Sequence, residues 1–499
     1  MGRGQCAKGK RQQATRNWQL STGNYFFIVP SQVLIFTQMV RRMRNNTIIA
    51  IALLLAGCGD NSLKTKTTEK ADMTIIAKTV AWAHTTNIYE VNLRQYTTEG
   101  TFLAFLKELP RLKDMGVETL WFMPITPIAQ KNKKGSMGSQ YACSDYTAIN
   151  PEFGTLGDFK TLVKEAHQQG FKVLIDWVAN HTGWDHVWAK EHPEYYLKDS
   201  STNDFLMASG MDDIIELDYS NPSMRKAMID AMKYWVKETD IDGFRCDLAA
   251  WVEVGFWQEA RPQVDSLKHL FWLGEFDELE NPDYGKVFDA SYSWKWMHTT
   301  KDFYQHHKPL TVLTSLLQQY SQLGDGSMRA WFTSNHDENS WNGTEYEKYG
   351  QMAKALAVFS ATWNGVPLLY SGQELPNNKR LEFFEKDTIE WNGKYELHDF
   401  YKTLLNLHSS HPALHGGDKN VTTYMLQTSH PENVLAYLRK SGDKEILVVL
   451  NFSSGAFDLS ITDAHVAGEF KNVLSAGGKT FIAGHDLKMQ AWDYFVFEK

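Results

Sequence analysis

Between residues 80 and 415 the chain repeats one pattern eight times: a short apolar run, then an amphipathic stretch with helical spacing. Such runs read as strands buried on both faces, and the stretches between them are long enough to cross back over a sheet. The runs fall at 87–93, 117–123, 172–177, 241–247, 270–275, 287–291, 328–333 and 366–370. Eight strand-and-helix units favour a closed parallel (β/α)8 barrel over an open sheet. The clearest helix is expected over 155–169. There Thr155 and Asp158 have capping-box spacing, Leu156, Phe159, Leu162, Val163 and Ala166 form the apolar stripe, and Gly170 supplies the left-handed stop. A helix over 101–115 is expected to kink at Pro110, and Asn221-Pro222 opens another whose buried side carries Met224, Met228, Met232 and Trp235.

Two stretches depart from the repeat. Residues 182–220, rich in His, Asp and aromatic side chains, form an excursion between the third strand and its helix. From 416 to 499 the runs become alternating and β-branched, at 421–426, 434–438, 446–451 and 493–497, with turns at Ser453-Ser-Gly455 and Ala476-Gly-Gly478. This reads as a C-terminal antiparallel β-sandwich.

The N-terminus is of another kind. Arg41, Arg42 and Arg44 precede an apolar run from Ile48 to Ala56 that ends in Leu55-Ala56-Gly57-Cys58. A basic segment, a short apolar core and small residues have the form of a secretory signal, and the run is too short for a mature membrane span. The final tetrad resembles a bacterial lipoprotein signal. It implies a dispensable leader over 1–57, lipidation of Cys58, a polar tether over 58–79, and a lipid-anchored protein of the bacterial cell envelope, on a periplasmic or outer surface. Cys6 falls in the leader, Cys143 in a loop, and Cys246 on the helix side of a strand, so no disulfide framework is indicated.

A formal charge of −8 argues against a nucleic-acid partner, since phosphate binding needs a basic face. A neutral or polymeric sugar remains compatible, and 17 Trp with 21 Tyr supply flat rings that suit the apolar faces of sugars. The chemistry concentrates at strand ends. Asp176-Trp-Val-Ala-Asn180-His181, Gly243-Phe-Arg245-Cys-Asp247, Gly274-Glu275 and Asn335-His336-Asp337 each follow or end an apolar run. Carboxylates placed there are costly unless used or neutralised. Arg245 and Asp247, two apart on one strand, point the same way, and Arg245 is expected to hold Asp247 ionised with a lowered pKa. The apolar approach Phe271-Trp-Leu273 is expected to leave Glu275 poorly solvated and its pKa raised, as a proton donor requires. Asp277, Glu278 and Glu280 read as a solvated loop.

The order and spacing of these four segments resemble the α-amylase family, glycoside hydrolase family 13, of α-glucan-active barrels. The resemblance implies retaining hydrolysis of internal α-1,4-glucosidic bonds in starch-derived glucans and maltooligosaccharides. Asp247 would be the nucleophile, Glu275 the acid/base and Asp337 the grip on the sugar's secondary hydroxyls. It implies substrate contacts from Tyr141, Asp176, His181, Arg245 and His336. No cofactor is required for that chemistry. Asn180 is a calcium ligand in many relatives, and Asp212 and Asp213 offer further oxygen donors.

The chain also departs from the family pattern. Ser139 and Ala142 flank Tyr141 where relatives commonly carry His and Asp, and Ala250-Trp251 stands where many endo-amylases carry Lys-His. Trp251 either stacks on a sugar or packs at a helix start. The same catalytic groups serve α-glucanotransferases and exo-acting α-glucosidases, so those readings stay open. A non-catalytic glucan-binding barrel would be expected to lose a carboxylate that this chain retains.

Overall fold

The computed structural model describes residues 79–324, 326–474 and 480–499. The leader, most of the tether, Cys58 and the turn at 476–478 lie outside the described residues. Eight parallel strands close a barrel: β1 (Ile88–Val91), β2 (Thr119–Phe122), β3 (Lys172–Val178), β4 (Gly243–Asp247), β5 (Phe271–Asp277), β6 (Ala290–Tyr292), β7 (Met328–Trp331) and β8 (Val366–Tyr370). They pair in sequence order, and β8 closes on β1 with Ile88 opposite Leu368. Alternation along the strands explains the two apolar layers. Ile88, Trp121, Leu174, Leu273 and Tyr292 pack inside the barrel, while Tyr89, Leu120, Val173, Phe244, Cys246 and Trp272 pack outward against the helices. Gly243 is required by close approach, since a Cβ there would lie 2.0 Å from the Phe271 carbonyl oxygen.

The helix at Leu156–Gln168 has its capping box between Thr155 and Asp158 and stops where Gly170 takes φ +83°. That at Pro222–Thr239 buries Met224, Met228, Met232 and Trp235. The expected helix over 101–115 is two pieces, Phe102–Phe105 and Leu109–Asp114, joined by a tight turn. Pro110 sits at the start of the second piece, where its missing N–H costs nothing. In the excursion, His181–Gly183 pairs antiparallel with Ile214–Glu216, so the hairpin starts directly after β3.

Six antiparallel strands follow the barrel: β9 (Thr422–Met425), β10 (Val434–Ser441), β11 (Lys444–Asn451), β12 (Glu469–Asn472), β13 (Thr480–Ile482) and β14 (Tyr494–Glu498), in the order β9-β10-β11-β14-β12-β13. The second layer of the sandwich is one strand pair, Phe457–Leu459 with Leu487–Met489. Val434, Ala436, Leu438, Leu447 and Val449 face that pair. Leu435, Tyr437, Ile446, Val448 and Leu450 face the other way, into an apolar cluster with Trp296, Phe359 and Trp363 from the barrel helices. Both faces are therefore buried, which is why β11 reads as a continuous apolar run. Buried Arg439 ties the sheet to the preceding connection, donating to the carbonyls of Ala413 and His415 at 3.1 and 3.2 Å.

Candidate active site

The barrel register assembles the site. Pairing of β3 with β4 sets Asp176 beside Arg245 and Val178 beside Asp247, and β4 meets β5 with Cys246 opposite Gly274. The pairing of β5 with β6 slips between Gly274 and Asp277, an irregularity that spans Glu275 near the end of β5. Arg245, with no exposure, is the hub: Nη1 donates to Oδ1 of Asp176 and of Asp247, both at 3.0 Å, and Nη2 ion-pairs with Oε2 of Glu275 at 2.8 Å. The Arg245 guanidinium also lies over the Trp121 ring, 4.9 Å from its centroid. Leu248 adopts the left-handed conformation at φ 42° and donates its amide N–H to Glu275 at 2.9 Å.

Glu275 is poorly solvated, as expected, with its side chain 9% exposed, and the Arg245 guanidinium and the Leu248 amide both face its carboxylate. The expectation for Asp247 is corrected. Asp247 is pushed well above the usual carboxylate range rather than below it. Burial is the main cause and the nearby Glu275 charge the next, and together they outweigh Arg245. One guanidinium shared by three carboxylates cannot neutralise them all, which leaves burial and the Glu275 charge free to push Asp247 upward.

Across the mouth, the Tyr141 hydroxyl donates to Asp176 at 3.0 Å and lies 2.8 Å from Nε2 of His336, on which the Tyr141 ring stacks at 5.2 Å and 16°. Nε2 of His336 lies 3.4 Å from Asp337, whose side chain is 39% exposed. Burial alone would lower His336, but the Asp337 and Glu90 carboxylates overcome it and raise it to about 9. His181 is buried and neutral, lowered by that burial to about 4, and its Nε2 has no hydrogen-bond partner among the described residues. Asp176, Arg245, Asp247, Glu275, His336, Asp337 and Tyr141 are thus one connected cluster.

Trp251, half-buried on the turn Ala249–Trp251, shares none of these contacts. Asp212 and Asp213 face Lys134, whose ammonium lies 2.8 and 3.5 Å from their carboxylates. Asn180 is buried with its amide nitrogen 3.4 Å from Nδ1 of His181. A cation at Asp212 and Asp213 would have to displace the Lys134 ammonium. Among the described residues, no group of three or more His, Cys, Asp or Glu side chains is arranged to hold a metal ion.

Asp277 and Glu278 are not a solvated loop. Asp277 accepts from the Tyr320 hydroxyl at 2.5 Å and the Lys295 amide at 2.8 Å, while Glu278 pairs with Arg329 at 2.8 Å; only Glu280 is exposed. Glu90, buried in β1 and bonded to His336, is a site residue that the sequence reading missed. Its signal was a carboxylate at an inward position of an otherwise apolar strand. Phe383, 6.3 Å from the Tyr141 ring, and Trp341, 5.3 Å beyond Phe383 and 53% exposed, carry an aromatic surface outward from the mouth.

Fold and site together define a (β/α)8-barrel protein with a braced carboxylate cluster at the C-terminal ends of its strands. The chain belongs to the α-amylase family: the family profile described as the α-amylase catalytic domain matches residues 83–212 and 194–389, and that of the maltogenic amylase C-terminal domain matches 424–496. Among solved structures it is similar to a maltogenic α-amylase from Thermotoga neapolitana, with TM-score 0.76 and 29% identity over 84% of this chain and 99% of that one. An α-amylase from Lactobacillus plantarum gives 0.75 and 28% at the same coverages. α-Amylase 2 of Dictyoglomus thermophilum is 26% identical over 73% of this chain and 66% of its own length. The chain spans less than two thirds of the first curated relatives it matches, down to 32% of a β/α-amylase from Paenibacillus polymyxa.

Proposed function

We propose that this protein is a retaining glycoside hydrolase that cleaves internal α-1,4-glucosidic bonds of starch-derived glucans and maltooligosaccharides. The observation that carries the reading is the Arg245 hub, which holds Asp247 and Glu275 on one guanidinium. A retaining enzyme needs two carboxyl groups about 5 to 5.5 Å apart, one ionised and one protonated. Arg245 brings the two carboxyl groups that this chemistry requires to one cation.

In this mechanism Glu275 protonates the leaving glycosidic oxygen while an Asp247 oxygen attacks the anomeric carbon, breaking the carbon–oxygen bond and forming a glycosyl ester. Water, deprotonated by Glu275, then attacks the same carbon and releases Asp247. The configuration is inverted twice and so retained, and Glu275 ends protonated. Asp337 and His336 bind secondary hydroxyls, and His181 offers its unpartnered Nε2. The likeness to proteins titled maltogenic α-amylase supports short maltooligosaccharides as products.

The test is a time course on a reducing-end-labelled maltooligosaccharide series, reading product lengths and initial anomer. Internal cleavage with the α-anomer first is expected. Exclusive glucose release from the non-reducing end would overturn the endo reading, and products longer than the substrate would replace hydrolysis with transfer. Leu55-Ala56-Gly57-Cys58 supports a second element of the reading, a lipid anchor on Cys58 that holds the enzyme at the cell envelope. Intact-mass analysis of mature protein from membranes is expected to show acylated Cys58; an unmodified soluble form retaining residues 43–57 defeats it.

A further inference from the structure

Glu90 lies on the inward side of β1, in line with Ile88, and has no exposure. Its Oε1 accepts from Nδ1 of His336 at 2.5 Å and faces the His336 amide nitrogen at 3.4 Å, while Oε2 has no partner among the described residues. The carboxylate is therefore committed to one side chain. The opposite nitrogen of that ring, Nε2, is the one directed at the Tyr141 hydroxyl and Asp337. A histidine whose far nitrogen donates to a buried carboxylate has its ring orientation and proton placement set by that carboxylate.

We infer that Glu90 is a positioning residue for the reaction: by receiving the Nδ1 proton of His336 it fixes the ring and maintains Nε2–H as a standing donor toward the substrate side of the pocket. The inference rests on the hydrolase reading above and goes beyond it, since Glu90 touches no reacting atom.

Every element around the ring enters the charge balance. Glu90 comes from β1, Tyr141 from the loop after β2, Asp176 from β3, Arg245 from β4 and Asp337 from the ring's own segment. Trp121 and Phe383 add uncharged faces. Arg245 opposes a charged imidazole, and the Glu90 and Asp337 carboxylates favour it. Asp337 is partly exposed and is engaged once a sugar binds. Glu90, sealed beneath the ring, acts equally in the free and bound enzyme.

The test compares wild type with Glu90→Gln, which keeps shape and an acceptor oxygen but removes the charge, and with Glu90→Asp, which keeps the charge on a shorter arm. In ¹⁵N-histidine-labelled full-length protein, with His336→Asn identifying the signal, the wild-type ring is expected to remain doubly protonated through pH 8. In Glu90→Gln it is expected to titrate at least one pH unit lower than in wild type. The alkaline limb of kcat/KM on maltooligosaccharides is expected to move down by a similar interval. Glu90→Asp is expected to keep the wild-type limb and raise KM.

A His336 titration and alkaline limb unchanged in Glu90→Gln overturn the inference, as does a loss that is uniform at every pH and tracks Tm. The titration needs no turnover. Wild-type protein that fails to cleave any maltooligosaccharide would therefore sink the hydrolase reading while the Glu90–His336 comparison is still decided.

Discussion

Nη2 of Arg245 lies 2.8 Å from Oε2 of Glu275, although the two residues come from different strands and Arg245 is already bonded to Asp247 on its own strand. One guanidinium thereby sets the relative position of the two carboxylates whose chemistry must be coordinated.

Replacing Arg245 tests this directly. Arg245→Met leaves three buried carboxylates without their cation, at a cost of about 3–5 kcal/mol in stability, and kcat is expected to fall by at least about 10²-fold. Arg245→Lys, a point charge that cannot span the same fork, is expected to recover most of the stability and little of the activity. Denaturant melts and steady-state rates on maltoheptaose separate the two effects.

Asp247→Asn and Glu275→Gln each remove one of two repelling charges. Turnover is expected to drop by about 10²-fold or more in either variant. Tm is expected to hold or rise, because burial and the Glu275 charge both disfavour ionised Asp247. Folding by near-UV circular dichroism is recorded alongside, and substantial residual rate in either purified variant removes that residue from the mechanism.

The Lys134 ion pairs with Asp212 and Asp213 bear on metal dependence. Calcium at millimolar concentration, or excess chelator, is expected to leave Tm and activity unchanged. In Lys134→Met the two carboxylates lose their cation, and calcium-dependent stabilisation is expected to emerge. A wild-type Tm that rises with calcium contradicts the arrangement described.

Buried histidines set the acid limit of stability. Burial holds His408 neutral down to about pH 4 and His186 to about 3, both below the unfolded value of 6.5. The unfolded chain takes up protons first as pH falls, so their contribution is complete above about 6.5 and is lost progressively toward 4 and 3. For His408 alone it is worth roughly 3 kcal/mol. His408→Gln is expected to flatten the fall in unfolding free energy between pH 6.5 and 4, measured by urea melts at stepped pH.

What was legible in the sequence was periodic or local. Eight apolar runs gave the barrel strands to within a few residues, the capping box at Thr155 needs only its own four residues, and period two put Arg245 and Asp247 on one side. What was missed depends on distant partners. Asp277 and Glu278 looked like loop acids because Tyr320 and Arg329, which bury them, lie 43 and 51 residues further on. Glu90 meets His336 across 246 residues. The direction of Asp247 was misjudged because sequence displays its neighbour Arg245 but not the two other carboxylates that share it.

The two-sided burial of the six-stranded sheet bears on how such a protein can be recombined. Tyr437 packs edge-on against Trp363 and Phe359 of the barrel's helical layer at 4.8 and 6.2 Å. A cut near residue 416 would leave those barrel rings uncovered and strip the sheet of one of its two cores. The C-terminal segment is therefore not an exchangeable cassette. A chimera that grafts the sheet of another relative onto this barrel must bring the partner residues of the helices with it, or fail to reach a soluble state.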